Sequence, residues 1–217
     1  RNRHIDVVMF DKTGTLTEGR PSVTDSTLSE DHLALVASLE ASSEHPLAQA
    51  VVRYATDKGL ALKSAEQVQS ITGKGIEGVV DGKNIVVGSP KHISINGPAG
   101  PLMDRAEKWQ SEGKTVVVAA ANGQILGMIA IADAPKPTAK AAIEELKRMG
   151  REVVMVTGDN RRTAEAIARQ LGIDQIEADV LPGTKLEVVK HWQGKGKRVA
   201  YVGDGINDAP ALTQADL

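Results

Sequence analysis

The sequence predicts an α/β fold: a parallel-sheet domain interrupted by an inserted α+β domain. Three observations carry this. The chain opens on a short, nearly continuous apolar run, Ile5 to Phe10, of the kind seen in strands covered on both faces. From Thr138 onward, helix-like and strand-like segments strictly alternate, which implies parallel pairing through crossover helices. Between these regions, Asp81-Gly82 and Asn122-Gly123 are hairpin signals and mark antiparallel pairing. The economical organisation assigns residues 1–25 and 133–217 to one domain and 26–132 to the insert.

Element by element, Ile5 to Phe10 forms the first strand and ends in the loop Asp11-Lys12-Thr13-Gly14-Thr15. Pro21 to Thr24 is a second extended piece. Ser29, followed by Glu30, Asp31 and then Leu33, Leu35, Val36 and Leu39, reads as a capped amphipathic helix. Pro46 suits the first turn of another helix, running to about Asp57 and stopped at Gly59. Short β-like bursts follow around Val68, Ile76, Val79 and Ile85 to Val87. Leu102 to Gln110 is helical, and Thr115 to Ala120 and Ile125 to Ile131 are strands. After Asp133 the order is helix Thr138 to Met149, strand Glu152 to Val156, helix Arg161 to Leu171, a short strand near Ile176, helix Thr184 to Trp192 and strand Arg198 to Val202. A further helix is expected near Asn207.

Composition narrows the function classes. With 41% hydrophobic residues and five aromatic ones, the core is built from aliphatic side chains. A formal charge of −2 leaves no electrostatic footprint for nucleic acid. The absence of cysteine excludes disulfides and thiolate metal sites. No apolar run approaches the roughly 20 residues of a membrane span. The chain starts at Arg1 and stops at Leu217 without a tail, so both ends read as cuts in a longer polypeptide.

Ligands of an open parallel sheet bind beyond the carboxyl ends of its strands. Three such ends carry polar, glycine-containing loops: Asp11 to Thr15, Thr157-Gly158-Asp159, and Gly203-Asp204-Gly205-Ile206-Asn207-Asp208. One Asp after a strand is most often a turn residue. Three such loops together form a carboxylate cluster with small residues that admit a phosphate to backbone N–H groups. Asp11 and Asp204 are hard oxygen ligands suited to Mg²⁺. Lys185, at a helix start where a cation opposes the helix dipole, is either a solvated lysine or the cation for a transferring phosphoryl group, and the second reading is favoured. Thr13 stands two residues after Asp11, where many hydrolases with such a loop have a second Asp as general acid and base. An aspartyl-phosphate should therefore persist, and an energy-coupling role is favoured over a fast phosphatase. No Gly-x-x-x-x-Gly-Lys-Ser/Thr run is present, so nucleotide must be held elsewhere. Ser43-Glu44-His45-Pro46 and Thr72-Gly73-Lys74-Gly75 in the insert are the candidates.

These residues carry a resemblance. Asp11 to Gly19, Thr157-Gly158-Asp159 and Gly203 to Pro210 resemble three signatures of P-type ATPases, in order. Ser43 to Pro46 with Gly73-Lys74-Gly75 is similar to the nucleotide-binding domain of the heavy-metal-transporting members, the copper and zinc pumps. The resemblance implies a haloacid-dehalogenase-like phosphorylation domain and Mg²⁺ and ATP as cofactors. Asp11 is then the phosphorylated residue, with Thr13, Thr157, Gly158 and Lys185 on the phosphate. Mg²⁺ is held by Asp11, the Thr13 carbonyl and Asp204, with Asn207 and Asp208 supporting that site. It places Glu44, His45, Gly73 and Gly75 around adenine and Gly88 at a further nucleotide contact, followed by Ser89 where several copper pumps have Asn. Asp133 and Lys136 loosely match a hinge signature. The implied parent is a membrane pump, with this region on its cytoplasmic face and the actuator domain and transmembrane helices as partners. The region alone is expected to be monomeric, to bind Mg-ATP, to turn it over incompletely and to transport nothing. A soluble dehalogenase-superfamily phosphatase with a cap domain is the first alternative, and a non-catalytic nucleotide-sensing module the second.

Overall fold

The computed structural model describes residues 4–71, 74–93 and 100–203. The chain divides into two compact units, Arg1–Arg20 with Asp133–Leu217, and Pro21–Ala132.

The first unit is a parallel sheet. Strand β1 (Val7–Asp11) lies between β8 (Glu152–Val156) and β10 (Val199–Val202), and β9 (Gln175–Glu177) pairs with β8, giving the order β10-β1-β8-β9. All pairings are parallel. Both faces are covered, as the apolar run Val7 to Phe10 requires. On one face Val153 and Met155 pack with Ile143 of α4 (Ala139–Arg148) and Ala164, Ile167 and Leu171 of α5 (Arg161–Leu171). On the other, Val7, Met9, Val154 and Tyr201 pack with Val189 and Trp192 of α6 (Lys185–Gln193). The alternation of β1 side chains between the two clusters is the period-2 rule at work. Helix α5 begins at Asn160, whose side chain accepts from the Thr163 N–H, and stops at Gly172 in the left-handed region, φ 74°.

The second unit is a six-stranded antiparallel sheet, ordered β2-β7-β6-β5-β4-β3. Its strands are β2 (Ser22–Ser26), β3 (Ala65–Ile71), β4 (Gly75–Val80), β5 (Lys83–Gly88), β6 (Thr115–Ala121) and β7 (Gln124–Ala132). Helices α1 (Glu30–Glu40) and α2 (Pro46–Asp57) cover one face through Leu33, Val36, Leu39 and Val51 against Ile76, Val80, Ile85 and Ile129. Helix α3 (Pro101–Ser111) covers the other through Ala106 and Trp109 against Val116, Val118 and Met128. Both expected hairpins form: Asp81-Gly82 has φ 52° and 75°, and Asn122-Gly123 has φ 48° and 83°. Two successive left-handed residues match the twist of the flanking strands.

One boundary differs from the sequence reading. Residues 21–25, expected with the parallel-sheet domain, belong to the second unit, because β2 pairs with β7 through Ser22↔Ala132 and Val23↔Ile131. The lone extended piece could not name its partner, which lies over a hundred residues later. The expected helix near Asn207 lies outside the described residues. Among the described residues no helix is long and apolar enough to cross a membrane.

Candidate active site

In the first unit the sheet register aligns the strand ends that carry the candidate loops. Asp11 ends β1 opposite Val156, the last residue of β8, and Phe10 pairs with Val202, the last residue of β10. Strands β1, β8 and β10 therefore end at one edge of the sheet.

Asp11 is buried, 7% exposed. Lys12–Leu16 then form a wide turn closed by the Thr17 N–H donating to the Lys12 carbonyl at 3.1 Å. Within it Thr13 is extended and Gly14 is left-handed at φ 79°, a conformation that favours glycine. The turn is braced from below by Thr17, which is fully buried. Its hydroxyl accepts from the Gly14 N–H at 3.1 Å and lies 2.7 Å from Asp133 Oδ2. Asp133 also accepts from the backbone N–H groups of Gly19 and Arg20. The loose sequence match at Asp133 and Lys136 thus falls on a real contact: the Lys136 N–H donates to Leu16 O, and the Asp133 carboxylate ties down the chain leaving the Lys12–Leu16 turn.

Lys185 is the first residue of α6, and its Nζ lies 3.2 Å from Asp11 Oδ2. Both side chains are largely buried, so water screens the attraction far less than at a surface pair. The carboxylate also offsets the unfavourable placement of a cation at a helix N-terminus. Thr157 is buried, and its Oγ1 accepts from the Asp159 N–H at 3.1 Å. Its hydroxyl proton has no acceptor among the described residues and remains available. Beside this pair sits a second one: Lys12 Nζ contacts Asp159 Oδ2, with both side chains largely buried. Thr13 is exposed, and Asp204 and Asp208 lie outside the described residues. Among the described residues no three His, Cys, Asp or Glu side chains converge on one point. The described donors are nevertheless oxygen only, the Asp11 carboxylate and the Thr13 carbonyl, which fits a hard divalent cation.

In the second unit, His45 caps α2 through its side chain: Nδ1 accepts from the Leu47 N–H at 3.2 Å. The neutral ring therefore carries its proton on Nε2. His45 is exposed as a residue, yet partial desolvation of the ring lowers the imidazole pKa, which favours the neutral form. Glu44 is exposed and Gly73 lies outside the described residues.

Gly75 and Gly88 face each other as a register pair across β4 and β5. A Cβ at Gly75 would lie 2.1 Å from Val87 O, and one at Gly88 would lie 2.3 Å from Lys74 O. Protein backbone, not open space, fills the room that a side chain would need at both positions.

Glu40 is the residue that sequence reasoning missed. It ends α1 and is 7% exposed; its carbonyl accepts from the Ser43 N–H at 2.9 Å, while its carboxyl makes no hydrogen bond or ion pair among the described residues. Burial alone pushes its carboxyl up from 4.5 to about 7. A signal was present: Leu33, Val36, Ala37 and Glu40 follow the i, i+3, i+4, i+7 spacing of the buried face. The acid therefore had to be buried. The folded chain holds this proton more tightly than the unfolded chain, so stability should fall as pH rises from 4.5 to about 7 and stay level above that. The loss amounts to about 3 kcal/mol. Glu40→Gln should remove it, leaving the variant more stable than wild type at pH 8 and equal at pH 4.5 in urea titrations. An unchanged pH slope in the variant would show that Glu40 is not its source.

Comparison with known proteins places this geometry. The family model of haloacid dehalogenase-like hydrolases matches residues 5–216. A copper-exporting P-type ATPase of Staphylococcus epidermidis is 47% identical over 222 residues, covering all of this chain and 28% of that protein. Copper-transporting ATPase 1 of Rhizobium meliloti is 46% identical over 221 residues, covering 27% of its length. The chain thus spans less than a third of these relatives. The catalytic domain of the CPx-ATPase CopB-B, from a structure describing its conformational changes upon nucleotide binding, aligns with a TM-score of 0.79 at 30% identity, over 99% of this chain and 77% of that one. A zinc-transporting PIB-type ATPase in the E2.Pi state aligns at 0.61 and 39% identity, over 97% of this chain and 35% of that one. Matched along nearly its whole length in sequence and in fold, this chain belongs to the haloacid dehalogenase-like hydrolases, as a catalytic domain of the heavy-metal P-type ATPase kind.

Proposed function

We propose that this chain is the ATP-binding and phosphorylated region of a copper- or zinc-type transporting P-type ATPase, and that Asp11 is the phosphate acceptor. The observation that carries the reading is the buried Asp11 carboxylate at the carboxyl edge of the parallel sheet, with Lys185 Nζ at 3.2 Å. An Asp11 carboxylate oxygen attacks the γ-phosphorus of ATP. A new O–P bond forms, the bond to the β,γ-bridging oxygen breaks, and ADP leaves with that electron pair. Lys185 moves its charge from the carboxylate toward the transferring phosphoryl oxygens, where negative charge is greatest. The Thr157 hydroxyl and the Gly158 N–H supply donors from the neighbouring loop. Asp11, the Thr13 carbonyl, Asp204 and Asp208 are the proposed Mg²⁺ ligands. Bound Mg²⁺ offsets the repulsion between the acceptor carboxylate and the incoming phosphate.

In the second unit Glu44, His45 and the Gly73–Gly75 loop are the proposed adenine-facing residues, with Gly88 at the adjoining strand. Glu40 joins them on the strength of its uncompensated burial. A neutral carboxyl both donates and accepts, which matches the amino group and ring nitrogen on one edge of adenine. The His45 Nε2–H is a further donor. The close backbone contact across Gly75 and Gly88 gives those glycines a role in setting strand spacing first. Thr13, in place of a second acid, supports a persistent acyl phosphate whose release depends on the actuator domain of the complete pump. In the same reading the transmembrane helices supply the metal path and this region works at the cytoplasmic face.

The test is incubation with γ-labelled Mg-ATP, acid quench and recovery of label that is stable to acid and released by hydroxylamine. Lys185→Met should slow labelling roughly a hundredfold to a thousandfold while leaving nucleotide affinity nearly unchanged. Labelling at the wild-type rate would remove Lys185 from the reaction.

A further inference from the structure

The Lys12–Leu16 turn holds two backbone conformations that do not continue a helix: Thr13 is extended, and Gly14 is left-handed at φ 79° and ψ −9°. Its shape therefore depends on contacts from outside a helical ladder, and Thr17 supplies several of them. Thr17 is fully buried. Its N–H closes the turn on Lys12 O at 3.1 Å. Its Oγ1 lies 3.1 Å from the Gly14 nitrogen, 3.2 Å from Lys12 O and 2.7 Å from Asp133 Oδ2.

Donor chemistry fixes the direction of these bonds. The Gly14 N–H can only donate, so the Thr17 oxygen accepts from it. A carbonyl and a carboxylate only accept, so Lys12 O and Asp133 Oδ2 compete for the single hydroxyl proton. The carboxylate is both charged and closer, and it takes the proton. The result is a chain from the Gly14 N–H through the Thr17 hydroxyl to the Asp133 carboxylate, in which each bond strengthens the next.

Asp133 also holds the connecting chain. The polypeptide leaves the first unit after Arg20 and returns at Asp133. The same carboxylate accepts from the Gly19 N–H at 3.2 Å and the Arg20 N–H at 3.1 Å. Gly19 stands close against the turn: a Cβ there would lie 3.4 Å from Gly14 Cα. One carboxylate thus fixes the outgoing chain and, through Thr17, the turn beside it.

We propose that Thr17 is a positioning residue for phosphoryl transfer: its hydroxyl, directed by Asp133, holds Gly14 in the left-handed region and so sets where Thr13 stands two residues after Asp11. This role rests on the reading of Asp11 as acceptor. A packing role would need only the volume of the side chain, which valine supplies. The positioning role needs the oxygen.

The experiment is single-turnover labelling with saturating γ-labelled Mg-ATP on wild type, Thr17→Val, Thr17→Ser, Asp133→Asn and the Thr17→Val/Asp133→Asn double variant. Nucleotide affinity and urea unfolding are measured on each. Exchange of the Gly14 amide is followed by NMR against the Val154 amide, so that a global loss of stability cancels. Thr17→Val should label about tenfold more slowly than wild type at equal folded fraction, with nucleotide affinity within about twofold. Thr17→Ser keeps the oxygen and should stay within about threefold of wild type. The double variant should label within about twofold of the slower single variant, because both changes break one chain. The Gly14 amide should exchange at least about threefold faster in Asp133→Asn, a result that also decides the matter if Thr17→Val does not fold. Wild-type labelling by Thr17→Val overturns the inference, as does a Thr17→Ser variant as slow as Thr17→Val. Single-variant losses that multiply in the double variant, or an unchanged Gly14 amide in Asp133→Asn, overturn the chain through Asp133. Absence of label on wild type, or label retained by Asp11→Asn, removes the reading of Asp11 and the positioning role with it, whereas the amide exchange still reports on the hydrogen-bond chain.

Discussion

Asp11→Asn is expected to abolish label transfer from γ-labelled ATP to the protein, to below about one hundredth of wild type. The substitution keeps the side chain's shape and most of its packing in a position that is 7% exposed. What it removes is the anionic oxygen that forms the new bond to phosphorus. An amide has no comparable nucleophile, and Lys185 loses the charge that holds it 3.2 Å away. Equilibrium affinity for ATP should stay the same or rise, since the carboxylate no longer repels the γ-phosphate. The measurement pairs acid-quenched labelling with nucleotide titration of the same preparation. Recovery of hydroxylamine-sensitive label from the variant would move the acceptor to another residue.

The second large effect is expected at a residue that never touches phosphate. Gly75→Ala should destabilise the chain by about 3 kcal/mol or more, read from urea unfolding, and should weaken nucleotide binding as a consequence. Two causes act together. The backbone at Gly75 has φ 141°, which side-chain-bearing residues rarely adopt, and the added methyl would sit 2.1 Å from Val87 O on the paired strand. Neither can relax without parting β4 from β5. Gly82→Ala is the useful control: its φ is 75°, but nothing lies within 4 Å of the added atom, so only the conformational cost remains. If Gly75→Ala unfolds like wild type yet loses nucleotide, the glycine serves ligand approach and the strand-spacing account fails.

The two glycines show where sequence reading stops. The run Gly73-Lys74-Gly75 advertises a close approach of backbone to something. Only the register, which sets Gly75 opposite Gly88, identifies that something as the neighbouring strand. Glu40 makes the same point for charge. Its spacing from Leu33 and Val36 was legible, but an acid on an apolar stripe can curl out to water unless the packing prevents it. The packing of α1 against the sheet does prevent it, and the carboxyl is pushed up to about 7. At the Asp11 loop, the sequence shows the carboxylate partner of neither Lys12 nor Lys185. Their partners, Asp159 and Asp11, lie 147 and 174 residues away along the chain.

By itself the sequence determined the fold class, the two hairpins, the helix starts and the loop, Asp11 to Thr15, that is proposed as the phosphate acceptor. These depend on local spacing, on turn residues with restricted backbone conformations, and on apolar periodicity, all of which act over a few neighbouring residues. Tertiary structure alone decided that β2 joins the inserted sheet, that Gly75 meets Gly88, that Glu40 is held out of water, and which buried lysine faces which aspartate. Each of those is a contact between segments far apart in the chain. Its energy depends on burial and on distances of a few ångströms that no local pattern encodes.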